Sequence, residues 1–139
     1  MLKRLKSVLK GTQNILKKQS TKQVIGNQAE ALAKQFLLAK GLKFIQAQFN
    51  TPLGEVDLVM KDKVELVFVE VRYRENNAFG EGYETITHAK KQRIIRTAAY
   101  FYQIYPWADA HSCRFDVISI TGNQLNPKIT WIPNAFGVE

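Results

Sequence analysis

The chain of 139 residues reads as an α/β domain on one central sheet, with elements in the order α-β-β-β-α-β-β. Three observations lead there. Apolar residues recur at helical spacing in two separate segments. Five short runs rich in Val, Ile and Phe lie outside them, and polar or Gly- and Pro-bearing turns punctuate those runs. The length suits one compact domain with a real core, and 45% hydrophobic residues against 23% charged is an ordinary globular balance.

In the first helix, from Val24 to Lys40, the apolar positions are Ile25, Ala29, Leu32, Ala33, Phe36 and Leu37, and Gly41 supplies the stop. Glu30 falls beside that stripe, where it can reach the edge of whatever the helix packs on. Strands follow at Lys43–Phe49, Glu55–Met60 and Glu65–Arg74. Asn50–Gly54 forms the first turn and Lys61–Lys63 the second, giving a meander. A second helix spans Thr87 to Tyr105, with Ile86, Ala89, Ile94, Ile95, Ala98, Phe101 and Tyr102 apolar and Pro106 ending it. Strands at Arg114–Thr121 and Lys128–Pro133 close the chain, and Glu75–Tyr83 is the irregular portion.

The net charge of +8 is uneven. Lys3, Arg4, Lys6, Lys10, Lys17, Lys18 and Lys22 precede residue 26 with no acid among them, so the remainder is nearly neutral. Residues 1–22 are expected to form a basic arm and 23–139 a single domain. Leu2, Leu5, Val8 and Leu9 are interrupted by Lys, so no continuous secretory core exists. Their spacing suits a short amphipathic helix ending near Gly11. A frayed arm that attracts phosphate, RNA or DNA and a membrane-surface attachment are both open. No apolar run approaches the roughly 20 residues of a membrane span. The lone Cys113 cannot form an internal disulfide, and a reducing cytoplasm is the expected location.

Val67–Arg74, VFVEVRYR, sets Glu70, Arg72 and Arg74 among residues suited to an interior strand. Burying such charge costs several kcal/mol unless it is compensated. Either the strand lies on an edge with its charges in water, or the charges serve a metal-dependent site. Alternation puts Leu66, Phe68, Glu70 and Arg72 on one face. A tight hairpin through Asp62–Lys63 would set Asp57 opposite Phe68 and Glu55 opposite Glu70. Asp57, Glu70 and Arg72 then share a face, and a slip of one residue would undo this. Two carboxylates from neighbouring strands, with Glu30 from the helix, make an oxygen-rich site for a hard cation such as Mg²⁺. Such a cation can activate water for phosphate hydrolysis.

GEVDLV (Gly54–Val59) followed by FVEVRYR (Phe68–Arg74) resembles the paired motif of the restriction-endonuclease-like, or PD-(D/E)xK, nucleases. GNQAE (Gly26–Glu30), Asn50, KQRI (Lys91–Ile94), RFDV (Arg114–Val117) and NAF (Asn134–Phe136) extend the likeness over about residues 22–136. Together they resemble more closely the uncharacterised bacterial YraN-like family, related in fold to archaeal Holliday-junction resolvases. The resemblance implies a central mixed β-sheet flanked by helices. It places Glu30, Asp57 and Glu70 at metal-ligand positions for Mg²⁺ or Mn²⁺, with Arg72 at the catalytic cationic position. Lys91 is picked out by the pattern. With Arg74 and Arg93 it is expected to draw a nucleic-acid backbone. Arg72 stands where the nuclease pattern has Lys. Arginine stays protonated, so it can clamp phosphate but cannot act as a general base.

Structural readings accompany several of these residues. Asp116 suits an ion pair with Arg114, Glu55 suits a turn-edge charge, and Tyr73, Tyr83, Trp107 and Trp131 suit the core or its edge as well as base stacking. His88 and His111 lack zinc-site context, and no phosphate-loop, dinucleotide or serine-hydrolase motif occurs. The expected function is nucleic-acid binding, with hydrolysis of phosphodiester bonds in DNA or RNA, branched DNA included. A catalytically inactive module of the same fold is an alternative, as is a membrane- or partner-docking protein using the basic arm. A homodimer is expected only by analogy with junction-cutting enzymes.

Overall fold

A computed structural model describes residues 21–75, 86–123 and 125–138. The basic arm up to residue 20 and Tyr83 lie outside the described residues. The elements are α1 (Thr21–Ala39), β1 (Lys43–Thr51), β2 (Gly54–Asp62), β3 (Glu65–Arg74), α2 (His88–Ile104), β4 (Cys113–Thr121) and β5 (Lys128–Phe136). A short 3₁₀ turn over Pro106–Ala110 follows α2. The expected order and the meander are both present.

The sheet runs β1-β2-β3-β4-β5. Its pairs are antiparallel except β3 with β4, which are parallel. A parallel pair needs a crossover, and the segment containing α2 supplies it. β3 is therefore the central strand, which removes the edge-strand reading of its charges. Both faces of the sheet are covered. Ala29, Ala33 and Leu37 of α1 pack on Leu58, Met60, Val67, Val69, Ile118 and Ile120. On the other face Ile94, Ala98 and Phe101 of α2 pack on Phe49, Val59, Phe68 and Phe115. Ala29 and Ala33, one turn apart, let that helix sit close to the sheet. Leu32 and Ala89, expected on apolar faces, are exposed instead.

The helix ends follow local chemistry. Gly41 adopts φ +96°, while its N–H reaches Leu38 O at 3.0 Å and the Leu42 N–H reaches Leu37 O at 3.1 Å. That paired closure is a Schellman stop. Thr87 caps α2 by accepting the Lys90 N–H at 3.1 Å. Among the described residues no helix is long and apolar enough to cross a membrane.

The second hairpin differs from expectation. Asp62 pairs with Glu65, Val59 with Phe68 and Leu58 with Val69, so the loop is Lys63–Val64, with Lys63 at φ +57°. The register is displaced by two residues, because Lys61 and Asp62 extend the ladder instead of turning. Continued by one step, this register sets Asp57 opposite Glu70, where the sequence had suggested Phe68. A two-residue displacement preserves the faces.

β5 continues past Pro133 to Phe136, farther than expected. The reason is a buried anchor. Asp116, fully buried, accepts from Arg114 Nε at 3.0 Å, Trp131 Nε1 at 2.9 Å and the Asn134 backbone N–H at 2.9 Å. Arg114 also bridges Asp62 at 3.0 Å and Glu65 at 3.1 Å. Burial alone would lower the Arg114 pKa, but bonding and charge from Asp116, then bonds to Asp62 and Glu65, carry it above its ordinary value. The anchor sits where the β4–β5 register shifts, between Phe115 and Val117, and Asn134 adopts φ +51°. Asp116→Ala would leave a guanidinium, an indole N–H and a backbone N–H without their shared acceptor. It is expected to cost about 3 kcal/mol in urea denaturation, whereas a loss below 1 kcal/mol would show that the anchor is dispensable.

Candidate functional site

The site grows from a fork between β2 and β3. Their backbone pairing ends at Leu58 and Val69. Beyond it, the Val71 N–H donates to Asp57 Oδ2 at 2.8 Å, so a side chain takes the place of the next ladder partner. Strand alternation also breaks here. Val56 packs in the α2-side core while Leu58, two residues on, packs in the α1-side core. Asp57 thus stands at the rim where both helical layers can reach it.

Glu30 comes from the α1 side, beside the stripe that buries Ala29 and Ala33. Gln48 Nε2 donates to Glu30 Oε2 at 3.0 Å. Gln48 lies across from Asp57, between the Ala47–Leu58 and Phe49–Val56 pairs, and adopts φ +51°. Glu70 comes from β3, is 5% exposed, and meets Lys90 Nζ of α2 at 2.7 Å. Lys90 reaches it because β2 begins tight against α2. At Gly54, φ +151°, a Cβ would stand 3.0 Å from Thr97 Oγ1 and 3.3 Å from Arg93 Cβ. The glycine that opens GEVDL is there for close approach.

Glu30, Asp57, Glu70 and Lys90 line one open cavity of about 750 Å³, together with Lys22, Glu55, Arg72, Tyr73 and Arg74. Of the residues expected at a site, Glu30, Asp57, Glu70, Arg72 and Arg74 are brought together here. Lys91 is not: its ammonium lies 5.9 Å from the Phe136 ring centroid. Arg93 lines an adjoining cavity with Asn50, Thr51 and Gly54, which shares Lys90 and Glu55 with the first. Lys22, counted above with the basic arm, lies on α1 and lines the main cavity. Tyr73 is tied down by its hydroxyl, which donates to Gly122 O at 2.8 Å.

The electrostatics are crowded. Burial, and after it the Glu70 charge, push Asp57 from 3.8 up to about 8; the Val71 N–H opposes them. Burial likewise raises Glu30, while hydrogen bonds with Gln48 and Asp57 pull it back. Among the described residues no three acidic, His or Cys side chains are already gathered closely enough to hold a metal ion. The donor set nevertheless suits a hard cation in kind. It is all oxygen, half-buried or deeper, and carries mutual repulsion that a divalent charge would relieve.

The sequence pattern of the uncharacterised protein family UPF0102 matches residues 29–120, which include Glu30, Asp57, Glu70 and Arg72. The chain belongs to UPF0102. It is similar to a UPF0102 protein of Nitrosococcus oceani, 44% identical over 114 residues, 82% of this chain and 92% of that one. A UPF0102 protein of Vibrio vulnificus is 41% identical over 123 residues, 84% of this chain and 94% of the other. One of Legionella pneumophila is 45% identical over 111 residues, 80% and 92%. The YraN-like resemblance is thereby borne out, and its bacterial setting with it.

Within this UPF0102 chain, two residues lining the cavity, Lys22 and Lys90, and one that bonds to Glu30, Gln48, were not singled out as site residues from sequence. Gln48 carries no motif. Lys90 carries none either. Position opposite Asp57, and docking of α2 against Gly54, are what select them.

Burial, and after it the Glu70 charge, hold the Asp57 carboxyl up to about 8 in the folded protein. A raised folded-state pKa gives stability that is present below the unfolded pKa and lost as pH rises through the folded one. In chelator, wild-type stability is therefore expected to fall between about pH 4 and pH 8. Asp57→Asn, which keeps an oxygen for Val71, should flatten that fall and melt higher than wild type at pH 8. Parallel curves for the two proteins would refute the assignment.

Proposed function

We propose that the protein binds nucleic acid and hydrolyses phosphodiester bonds in DNA or RNA with Mg²⁺ or Mn²⁺. The observation that carries this reading is a half-buried to buried, mutually repelling carboxylate set that shares one cavity with Lys22, Arg72, Arg74 and Lys90. Glu30, Asp57 and Glu70 would hold the cation, their orientation set by Gln48, the Val71 N–H and β3. Such a cation, once bound, polarises a water and offsets charge building on the phosphate.

The remaining work falls to the chain's own groups. Arg72 lies two residues beyond Glu70 on β3 and offers a planar, permanently charged guanidinium for a phosphate oxygen. It binds phosphate and accepts no proton. Arg74, exposed at the rim, and Lys22 on α1 extend that attraction along a backbone. Tyr73 presents an aromatic edge to the same cavity, held by Gly122. The likeness to PD-(D/E)xK nucleases supports the reading, and so does the placement of Glu30, Asp57 and Glu70 on three different elements around one space.

The test is a cleavage assay on branched, single-stranded and duplex substrates with Mg²⁺ or Mn²⁺. Asp57→Asn and Glu70→Gln are expected to lose at least about 100-fold in rate, with Arg72→Gln losing substrate binding as well. Background cleavage equal in wild type and both carboxylate variants would remove catalysis from this site. Binding that persists without turnover in wild type would favour a non-catalytic module, the reading that Arg72 in place of Lys keeps open.

A further inference from the structure

Lys90 is held by its backbone as well as by its charge. It sits in the first turn of α2, where Thr87 Oγ1 accepts its N–H at 3.1 Å. From there its ammonium reaches Glu70 Oε1 at 2.7 Å. The two ends differ in depth: the Glu70 side chain is 5% exposed and the Lys90 side chain 35%. A carboxylate that deep keeps its charge only with a partner. Around the pair stand Glu30 and Lys22 from α1, Glu55 and Asp57 from β2, and Arg72 and Arg74 from β3.

We propose that Lys90 is an internal counter-ion occupying the charge position that a divalent cation takes on Glu70. Cation binding and the Lys90–Glu70 ion pair then exclude one another. The inference rests on the function proposed above and deepens it. A cation held by Glu70 and Asp57 would stand a few ångströms from an ammonium already on Glu70, and like charges at that range repel by more than thermal energy. Lysine can yield where a fixed group could not, because its charge rides on a flexible four-carbon stem. The space it can swing into exists. The adjoining cavity of about 370 Å³, lined by Asn50, Thr51 and Arg93, already includes Lys90. There the ammonium would face an incoming phosphate beside Arg93. One side chain thus steadies the metal-free site and is released toward substrate when the cation arrives. Lys90 is in this sense a positioning residue, acting through Glu70.

The test is a Mn²⁺ titration of the full chain by calorimetry at a single pH, with thermal unfolding in chelator and in Mn²⁺ alongside. Lys90→Gln removes the competing charge and is expected to bind Mn²⁺ roughly ten-fold more tightly than wild type. It should also melt lower in chelator and gain more from Mn²⁺ than wild type gains. Lys90→Arg keeps the charge and should bind no more tightly than wild type. If Lys90→Gln fails to fold in chelator, recovery of its native circular dichroism on adding Mn²⁺ supports the exchange, and failure to recover counts against it. Affinity unchanged or weakened in Lys90→Gln, with Asp57→Asn still abolishing binding, would overturn the exchange and leave the metal site standing. Absence of Mn²⁺ binding in wild type and Lys90→Gln, or binding indifferent to Asp57→Asn, would overturn the site itself.

Discussion

The hydrogen bond from the Val71 N–H to Asp57 Oδ2, 2.8 Å long, decides the shape of everything around it. A ladder that continued between β2 and β3 would close the sheet and leave no rim. A ladder that stopped without compensation would leave an amide donor inside the domain unpaired, at a cost of about 1–3 kcal/mol. The carboxylate resolves this by standing in for the lost backbone acceptor. The fork that results separates Val56 from Leu58 into opposite cores and turns Asp57 into the gap. Glu30 from one helical layer and Lys90 from the other can then meet in one cavity, although a continuous sheet would lie between them.

Much of this was legible in sequence because the relevant physics is periodic. Strand alternation assigns Leu66, Phe68 and Glu70 to one face and Val67 and Val69 to the other; the two cores divide Leu66 and Phe68 from Val67 and Val69, and Glu70 meets Lys90 on the α2 side. The hairpin register differs from the sequence expectation by two residues, which keeps faces in the regular ladder from Leu58 to Asp62, while the break in alternation between Val56 and Leu58 sets Asp57 at the rim. What sequence could not supply was the path between elements. Turn chemistry pointed to Lys61–Lys63, whereas the loop is Lys63–Val64, a choice made by extending the ladder two more residues. Gln48 and Lys90 were invisible as partners because neither is near Glu30 or Glu70 in the chain. Long-range docking puts them there, and Gly54 allows it by admitting α2 closely enough.

The far end of the sheet explains why parts of the family-like pattern have nothing to do with the cavity. RFDV and NAF meet through Asp116, which gathers Arg114, Trp131 and the Asn134 backbone into one buried knot. Asp62 and Glu65, the last pair of the β2–β3 ladder, join it through Arg114. The knot therefore clamps the closed end of the hairpin whose open end forms the fork. Rigidity at one end lets the other stay splayed with charged groups inside it. A pattern read along the chain mixes both roles, and bonding separates them: Asp116 is sealed among donors, whereas Asp57 lines a cavity and is raised in pKa by burial and then by the Glu70 charge.

That contrast bears on what the cavity is for. Asp116 carries its charge among donors that satisfy it, the usual condition for a buried carboxylate used in folding. Asp57, Glu70 and Glu30 crowd one another, and a chain selected for stability alone gains nothing from that repulsion. Lys90 pairs with Glu70 from the other helical layer, and Arg72 and Arg74 follow Glu70 on the same strand. Acids and cations share one space: Glu30, Asp57 and Glu70 stand with Lys22, Arg72, Arg74 and Lys90 around the cavity. On the proposed function, a phosphate backbone would be drawn by Arg74 and Lys22, and the acids would become compatible with it once a divalent ion had taken up their charge.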